Sequence, residues 1–482
     1  MDNSQSSRQY QPWDHMFPGV GAAMDAGVHE HIHLVGVGGI GMSGIAEVLL
    51  TLGYRVTGSD LRTTEVTRRL EKLGAGIVYG HSADSIDMGI DVVVVSSAVD
   101  DGNPEVVEAR ALRVPVIRRA EMLAELMRLK YGVAVAGAHG KTTTTSLMAA
   151  VLGEGGYDPT LVIGGRLKSL GGSNARLGTS RYMVAEADES DGSFVALKPV
   201  IAVVTNIDRE HMNHYRTMER LVDAYVEFVN SVPFYGRAIL CVDSDEVRGM
   251  LPRIRKRVVT YGFSADADLR AVEVRRDGFK TSFEVIRRGV ALGPVELAMP
   301  GRHSVLNALA SVATALELGM DFSDCSKALS AFEGVMRRFE VKGECNGVTV
   351  IDDYAHHPTE LRATLGAARD GFSQRVLAVF QPHRYSRLAD LFKDFAAAFE
   401  DADEVVVTDI YAAGEQPLEE ASAQLLVDAI RRLHDGPVSY LPFDDTLAPR
   451  VAELSRPGDL VITMGAGDIT RLGPEILARL GR

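Results

Sequence analysis

Ala136-Gly137-Ala138-His139-Gly140-Lys141-Thr142-Thr143-Thr144 follows an apolar, strand-like run, Val133-Ala134-Val135, and leads into a helix-like stretch from Ser146 to Leu152. A glycine-rich turn between a buried strand and a helix is the setting of a phosphate-binding loop. Glycines let backbone N–H groups converge on phosphate oxygens, and the helix N-terminus adds partial positive charge. Gly137, Ala138, His139, Gly140 and Thr143 would line that cradle, Lys141 would reach the terminal phosphates, and Thr142 would hold a magnesium ion. The loop departs from the general pattern G-x-x-x-x-G-K-[ST], because Val135 stands where the first glycine belongs. An empty strand-to-helix turn is the bland alternative, and Gly140-Lys141-Thr142-Thr143 in this context speaks against it. The expectation is an enzyme that uses a nucleoside triphosphate, on an α/β fold.

Upstream, Gly36-Val37-Gly38-Gly39-Ile40-Gly41 follows the strand-like His31-Ile32-His33-Leu34-Val35, and Asp60 comes about 20 residues later. That is the dinucleotide fingerprint. Its glycines admit a pyrophosphate to a helix N-terminus, and the acid takes a ribose hydroxyl. Alone it would suggest an NAD-dependent oxidoreductase. A UDP-sugar also has a pyrophosphate at its centre, so the motif leaves both open, beside plain helix–strand packing.

Strand-like and helix-like segments alternate in three blocks, which predicts parallel sheets covered on both faces. The first block includes Asp91-Val92-Val93-Val94-Val95. The second carries Tyr182-Met183-Val184-Ala185, Val200-Ile201-Ala202-Val203-Val204 and Ala238-Ile239-Leu240-Cys241-Val242. Between 268 and 299 the pattern changes to short alternating runs around Asp277-Gly278, which reads as a small antiparallel insert. The third block returns to alternation with Val348-Thr349-Val350-Ile351, Val376-Leu377-Ala378-Val379-Phe380, Val405-Val406-Val407 and Leu460-Val461-Ile462-Thr463.

At 482 residues the chain is too long for one core, and about 150 residues per domain suggests three. The boundaries expected are a flexible, polar extension over 1–28, then domains at 29–131, 132–332 and 333–482. A net charge of −14 argues against a nucleic-acid partner, which needs a basic face. Three scattered cysteines, without a C-x-x-C, give neither a disulfide framework nor a zinc signature. No apolar run approaches the roughly 20 residues of a membrane span, and the extension lacks a signal-peptide core. Those features predict a cytoplasmic protein without membrane insertion.

Two strand ends carry further polar chemistry. Glu186-Ala187-Asp188-Glu189-Ser190-Asp191 follows one buried strand, and Asn206-Ile207-Asp208-Arg209-Glu210-His211-Met212-Asn213 follows the next. Ligands bind at the C-terminal ends of strands in open α/β sheets. Glu186 and His211 beside the phosphate loop would hold Mg²⁺ around a triphosphate. A solvated acidic turn and a hydrogen-bonding histidine are the structural alternatives, since magnesium prefers oxygen.

The glycine loop at 36–41 with its flanks, the Gly-Ala-His-Gly-Lys-Thr-Thr loop, and the stretch from Asn206 to Met212 together resemble the Mur ligases. The third block agrees, with Arg337-Arg338-Phe339, Asp352-Asp353-Tyr354-Ala355-His356-His357-Pro358-Thr359-Glu360, Gln381-Pro382-His383-Arg384-Tyr385-Ser386-Arg387 and Gly465-Ala466-Gly467-Asp468. The resemblance runs from about His31 to the C-terminus, and within the family it points to the alanine-adding branch.

It implies an N-terminal Rossmann-like UDP-sugar domain, a central P-loop ATPase-like domain with the small insert, and a C-terminal Rossmann-like domain for the amino acid. The implied substrates are UDP-N-acetylmuramate, L-alanine and ATP, with Mg²⁺ or Mn²⁺, joined through an acyl phosphate by a monomer or weak homodimer. Lys141 would neutralise the transferring phosphoryl group. Thr142 and Glu186 would hold one metal ion, and His211 a second. His303 and Asn307 would contact the nucleotide. Gly36, Gly38, Gly39, Gly41, Asp60, His81, Ser96 and Ser97 would cradle the UDP-sugar. Asp353, Tyr354, His356, Arg384 and Arg387 would line the alanine pocket, an arginine pairing with its carboxylate.

Four positions depart from the family pattern. Relatives usually have Asp at Glu210 and Asn213, Asn at Ser304, and Gly at Ala355. No lysine occurs between Lys198 and Lys256, so the helix after His211 cannot supply the carbamylated lysine of several sister ligases. The alanine-adding branch is the one expected to lack it. A ligase that recycles a murein tripeptide onto the same sugar nucleotide is the near rival, and a non-catalytic nucleotide sensor the distant one. His139 is expected to shape the loop backbone, and His357 to serve as a helix-entry or packing residue.

Overall fold

The computed structural model describes residues 30–96, 98–164 and 174–481. The expected tail and Ser97 lie outside them. Among the described residues the strands form three sheets, and the chain divides between Lys130 and Tyr131 into two compact units.

The first unit holds β1 (His31–Val35), β2 (Arg55–Asp60), β3 (Gly76–Tyr79), β4 (Val92–Val95) and β5 (Val116–Arg118). They are all parallel, in the order β3-β2-β1-β4-β5. Every residue of β1 is buried, its two histidines included, as a central strand covered on both faces requires.

The second unit contains two sheets. The larger comprises β6 (Tyr131–Ala136), β7 (Thr160–Val162), β8 (Ala175–Arg176), β9 (Tyr182–Glu186), β10 (Ile201–Val204), β11 (Arg237–Cys241) and β12 (Val258–Gly262), continued by β13 (Leu269–Asp277), β14 (Lys280–Arg287) and β15 (Val290–Leu297). Its order is β15-β14-β13-β12-β11-β10-β6-β9-β7-β8. The antiparallel run therefore extends the same sheet, because β13 pairs in parallel with β12 at Tyr261 and Leu269. The third sheet orders β16 (Glu340–Cys345), β17 (Val348–Asp353), β18 (Val376–Phe380), β19 (Glu404–Val407), β20 (Val438–Tyr440) and β21 (Leu460–Met464) as β16-β17-β21-β18-β19-β20.

Strand β18 shows why this sheet needs cover on both faces. Val376, Ala378 and Phe380 enter one apolar core, while Leu377 and Val379 enter another, as the two-residue strand period dictates. The phosphate-loop helix, Lys141–Glu154, is likewise buried almost all round, from Thr143 to Leu152. No helix among the described residues is long and apolar enough to cross a membrane.

Candidate active site

In the first unit the glycine loop is closed by its own strand neighbours. Gly36 and Val37 donate their N–H groups to the Ser59 carbonyl, at 2.8 and 3.0 Å. Gly38 donates to the Asp60 carboxylate at 2.9 Å, and Gly39 stands at the N-cap of the helix Ile40–Thr51. A Cβ on Gly38 would lie 2.8 Å from Asp60, and one on Gly41 3.0 Å from the Arg119 side chain. Glycine at 38 therefore follows from close packing, whereas at 41 the flexible Arg119 side chain could give way. Ser96 sits beside Gly36. His81 is tied to the same place from below: its Nδ1 lies 3.0 Å from both Ser59 Oγ and Glu105 Oε2. Glu105 is fully buried. Burial disfavours its charge, but the nearby His33 ring and hydrogen bonds with Ser59 and His81 outweigh that and hold its carboxyl below the usual range.

The second loop is built by the ends of β6 and β10. Thr205 Oγ1 and Asn206 Nδ2 donate to the His139 carbonyl, at 2.6 and 3.0 Å, and Asn206 Oδ1 accepts the His139 N–H. Gly140 takes the left-handed conformation at φ 79° as the helix N-cap. A Cβ there would lie 2.5 Å from Asn307 Oδ1, so both the turn and the neighbour demand glycine.

Lys141 folds back over the loop. Its Nζ donates to the Gly137 carbonyl at 2.6 Å and to both Glu189 oxygens at 2.7 and 2.8 Å. Burial works against the ammonium, yet Glu189 outweighs it and raises the lysine above its ordinary value. Burial pushes Glu189 itself up to about 7. His211 Nε2 lies 3.7 Å from Glu189 and 3.5 Å from Glu210, so Lys141 and His211 meet through one carboxylate. Burial lowers His211, favouring the neutral ring. Its backbone is left-handed at φ 56°, a strained state that persists where the surroundings over-determine it.

Glu186 ends β9 beside Thr142. Burial raises its carboxyl, opposed by Gly164, Lys141 and the Thr142 hydroxyl. One of its oxygens is buried without a hydrogen-bond partner. A hydroxyl and a carboxylate with an unanswered oxygen suit a magnesium ion. Glu189, Glu210 and His211 form a second donor group, with ligand atoms within 4.8 Å of one another.

From the third sheet, Arg387 donates to Glu210 at 3.3 Å and to His383 Nδ1 at 3.1 Å. His356 lies between Tyr354 and His383, with ring centroids 5.1 and 5.8 Å away, and burial lowers its pKa. Tyr354 is covered by the guanidiniums of Arg337 and Arg338. Arg384 stands apart: it is half-exposed and turns towards Glu415 at 3.9 Å. Asp353 also differs from expectation. Its carboxylate accepts the N–H groups of Phe339 and Ala355, at 2.7 and 2.8 Å, and it faces the cavity of His303 and Asn307 rather than the His356 group.

That cavity, about 310 Å³, runs from His139, Gly140 and Thr143 past His303 and Asn307 to Phe339 and Asp353. Burial, with Arg338 nearby, lowers His303 to about 4. Ser304 borders it, but its hydroxyl is used on the Pro300 carbonyl at 2.7 Å. Asn213 is exposed. His139 does more than shape backbone. Its Nε2 lies 2.9 Å from Asp208 and its Nδ1 3.3 Å from Glu360. Burial opposes its cation, but those two carboxylates prevail and raise it to about 10. Glu360 also accepts the His356 N–H at 3.0 Å, so one acid links the phosphate loop to the His356 turn. Glu189, Asp208 and Glu360 are the residues that sequence reasoning did not single out. Glu189 stood in the quoted acidic run, but nothing in its spacing marked it above its neighbours.

Three sequence families match the chain in order: "Mur ligase family, catalytic domain" at residues 31–131, "Mur ligase middle domain" at 135–315, and "Mur ligase, glutamate ligase domain" at 337–467. A UDP-N-acetylmuramate–L-alanine ligase of Geobacter sp. (strain M21) is 56% identical over 452 residues, covering 94% of this chain and 98% of that protein. This chain belongs to the Mur ligase family. Another protein of the same description, from Anaeromyxobacter dehalogenans (strain 2CP-1), is 57% identical over 451 residues, with 94% and 98% covered. Among solved structures, the UDP-N-acetylmuramate–alanine ligase MurC of Thermotoga maritima superposes with a TM-score of 0.78 at 31% identity, covering 94% of this chain and 99% of that one. A murein peptide ligase of Psychrobacter arcticus reaches 0.67 at 25% identity, over 94% and 99%. The ATP-dependent chemistry of Mur ligases accords with a lysine-bearing phosphate loop.

Proposed function

We propose that this Mur ligase joins L-alanine to the carboxylate of UDP-N-acetylmuramate at the expense of ATP, releasing ADP and phosphate, in the building of peptidoglycan precursors. The observation that carries it is the Arg387–Glu210 contact, which sets Arg387 and its neighbour His383 beside the His211–Glu189–Lys141 group. An amino acid and a triphosphate held there would be neighbours. The relatives from Geobacter and Anaeromyxobacter and the Thermotoga structure are alanine ligases by name, and the murein peptide ligase matches at lower identity and TM-score.

The muramoyl carboxylate oxygen bonds to the γ-phosphorus as the bond to ADP breaks. The alanine nitrogen then attacks the acyl carbon, and phosphate leaves the tetrahedral intermediate. Little of this needs covalent help, so positioning and charge dominate. Lys141 exchanges Glu189 for the γ-phosphate and offsets its charge. Thr142 and Glu186 would hold one magnesium ion, and His211 with Glu189 and Glu210 a second; bound there, they would neutralise phosphate charge. Arg387, with Arg384 at the rim, fixes the alanine carboxylate, and His356, kept neutral by burial, takes a proton from the ammonium. His303 and Asn307 contact the nucleotide, with Asp353 fixing the opposite wall. Loop 36–41 with Asp60, His81, Ser96 and Ser97 holds the UDP-sugar.

A coupled assay tests the proposal. ADP and phosphate should appear only when UDP-N-acetylmuramate, ATP and L-alanine are all present. Turnover with a murein tripeptide in place of L-alanine would assign the chain to the recycling branch, and phosphate release without either acceptor would refute ligation.

A further inference from the structure

The hairpin β13–β14 belongs to the middle sheet, yet its tip is built into the C-terminal domain. Gly278, at the turn, donates its N–H to the carbonyl of Gly371 at 2.9 Å. A Cβ on Gly371 would lie 2.7 Å from the Gly278 carbonyl oxygen, so the backbones can touch only because that residue is glycine. Arg276 pairs with Asp370 at 2.7 Å. Phe279 packs against the C-terminal core, with its ring edge-on to Phe372 at 4.7 Å between centroids.

The same pair of rings backs Phe339. Phe339 lies 6.2 Å from Phe279 and, nearly parallel at 17°, 6.2 Å from Phe372. Its backbone is left-handed at φ 48°, a conformation that a bulky aromatic residue rarely adopts. Asp353 holds its N–H at 2.7 Å, and the residue forms part of the wall of the cavity that also contains His303 and Asn307. A strained aromatic residue fixed at its amide and backed by two rings is over-determined from outside the cavity. Such strain collects at ligand clamps.

We propose that Phe279 is a positioning residue for nucleotide binding: reaching across from the middle-sheet hairpin, it presses Phe339 into the cavity wall without lining the cavity itself. This rests on the cavity being the nucleotide site. The hairpin then shapes the far wall of a pocket whose near wall is the phosphate loop, and both must be in register for ATP to fit. A hairpin that merely glued two domains would affect every substrate alike.

The test measures ATP affinity by calorimetry and full kinetics for the intact Phe279→Ala, Phe279→Tyr and His303→Ala proteins. Phe279→Ala should weaken ATP binding and raise KM for ATP about tenfold, equivalent to ~1.4 kcal/mol. Its kcat and its KM for L-alanine should stay within about twofold, the split expected when only binding is lost. Phe279→Tyr, which keeps the ring, should recover most of the loss. ATP affinity unchanged in Phe279→Ala but weakened in His303→Ala would overturn the positioning role alone. Unchanged affinity in both would overturn the nucleotide cavity with it. A uniform fall in kcat and in the affinity for every substrate, tracking a lower melting temperature, would reduce the hairpin to a structural contact and also overturn the proposal.

Discussion

The two glycine loops share a strand–turn–helix setting and differ in what answers their polar groups. In loop 36–41 a backbone N–H, that of Gly38, is taken by the Asp60 carboxylate, and the loop itself carries no charged side chain. In loop 136–144 a side-chain cation, Lys141, is taken by Glu189 and by loop carbonyls. The first loop is an uncharged, internally braced turn at a helix N-terminus, which suits holding a diphosphate. The second offers a charge with a replaceable partner, which suits a phosphate whose charge moves during reaction.

The sharpest way to break that contrast is to remove the cation. Lys141→Ala should lower kcat by about 10- to 150-fold or more, because a charge-assisted hydrogen bond is worth roughly 1.5–3 kcal/mol and about 1.4 kcal/mol is a decade in rate. Steady-state kinetics within twofold of wild type would refute the role of Lys141. A smaller effect, of a different kind, is expected at the first loop. Asp60→Asn should raise KM for UDP-N-acetylmuramate by about three- to tenfold and leave kcat nearly alone. A loss in kcat as deep as that of Lys141→Ala would erase the distinction between the loops.

The smallest effect separates the loops by pH. His139 stands at about 10 in the folded protein against an ordinary 6.5. A raised basic group contributes stability in full below about pH 6.5 and loses it as pH rises through about 10. His139→Asn should therefore lower the melting temperature by roughly 2–4 °C at about pH 6 and much less at about pH 10. Equal shifts at both values would show that the His139 charge does not hold the phosphate loop to Asp208 and Glu360. The first loop carries no histidine and offers no counterpart.

Much of this was legible in the sequence because it was local. Buried strands announce themselves as apolar runs, and glycine loops as turns between a strand and a helix, so β6, β10 and β18 stand out in the sequence, and β1 by the glycine loop that follows it. The Asp277-Gly278 turn was legible for the same reason. What escaped depends on contacts between distant segments. The run from 268 to 299 read correctly as a small antiparallel insert, but nothing in its own alternation reveals that β13 pairs with β12 and lengthens the central sheet. Glu189 lies three residues beyond the end of β9, in irregular backbone where no period assigns a direction. Asp353 read as part of the alanine pocket, but its carboxylate is used on the amides of Phe339 and Ala355, a choice made by the turn of the chain rather than by the motif. Arg384 read as an anion clamp, and its half-exposed guanidinium leans to Glu415.

The phosphoryl step at Lys141 can be followed with a heavy-oxygen label placed on the muramoyl carboxylate of UDP-N-acetylmuramate. Attack of that carboxylate on the γ-phosphate predicts one labelled oxygen in each phosphate released with wild-type enzyme, and loss of both label transfer and phosphate release in step with turnover in Lys141→Ala. Phosphate released without label would contradict an acyl phosphate formed at this loop.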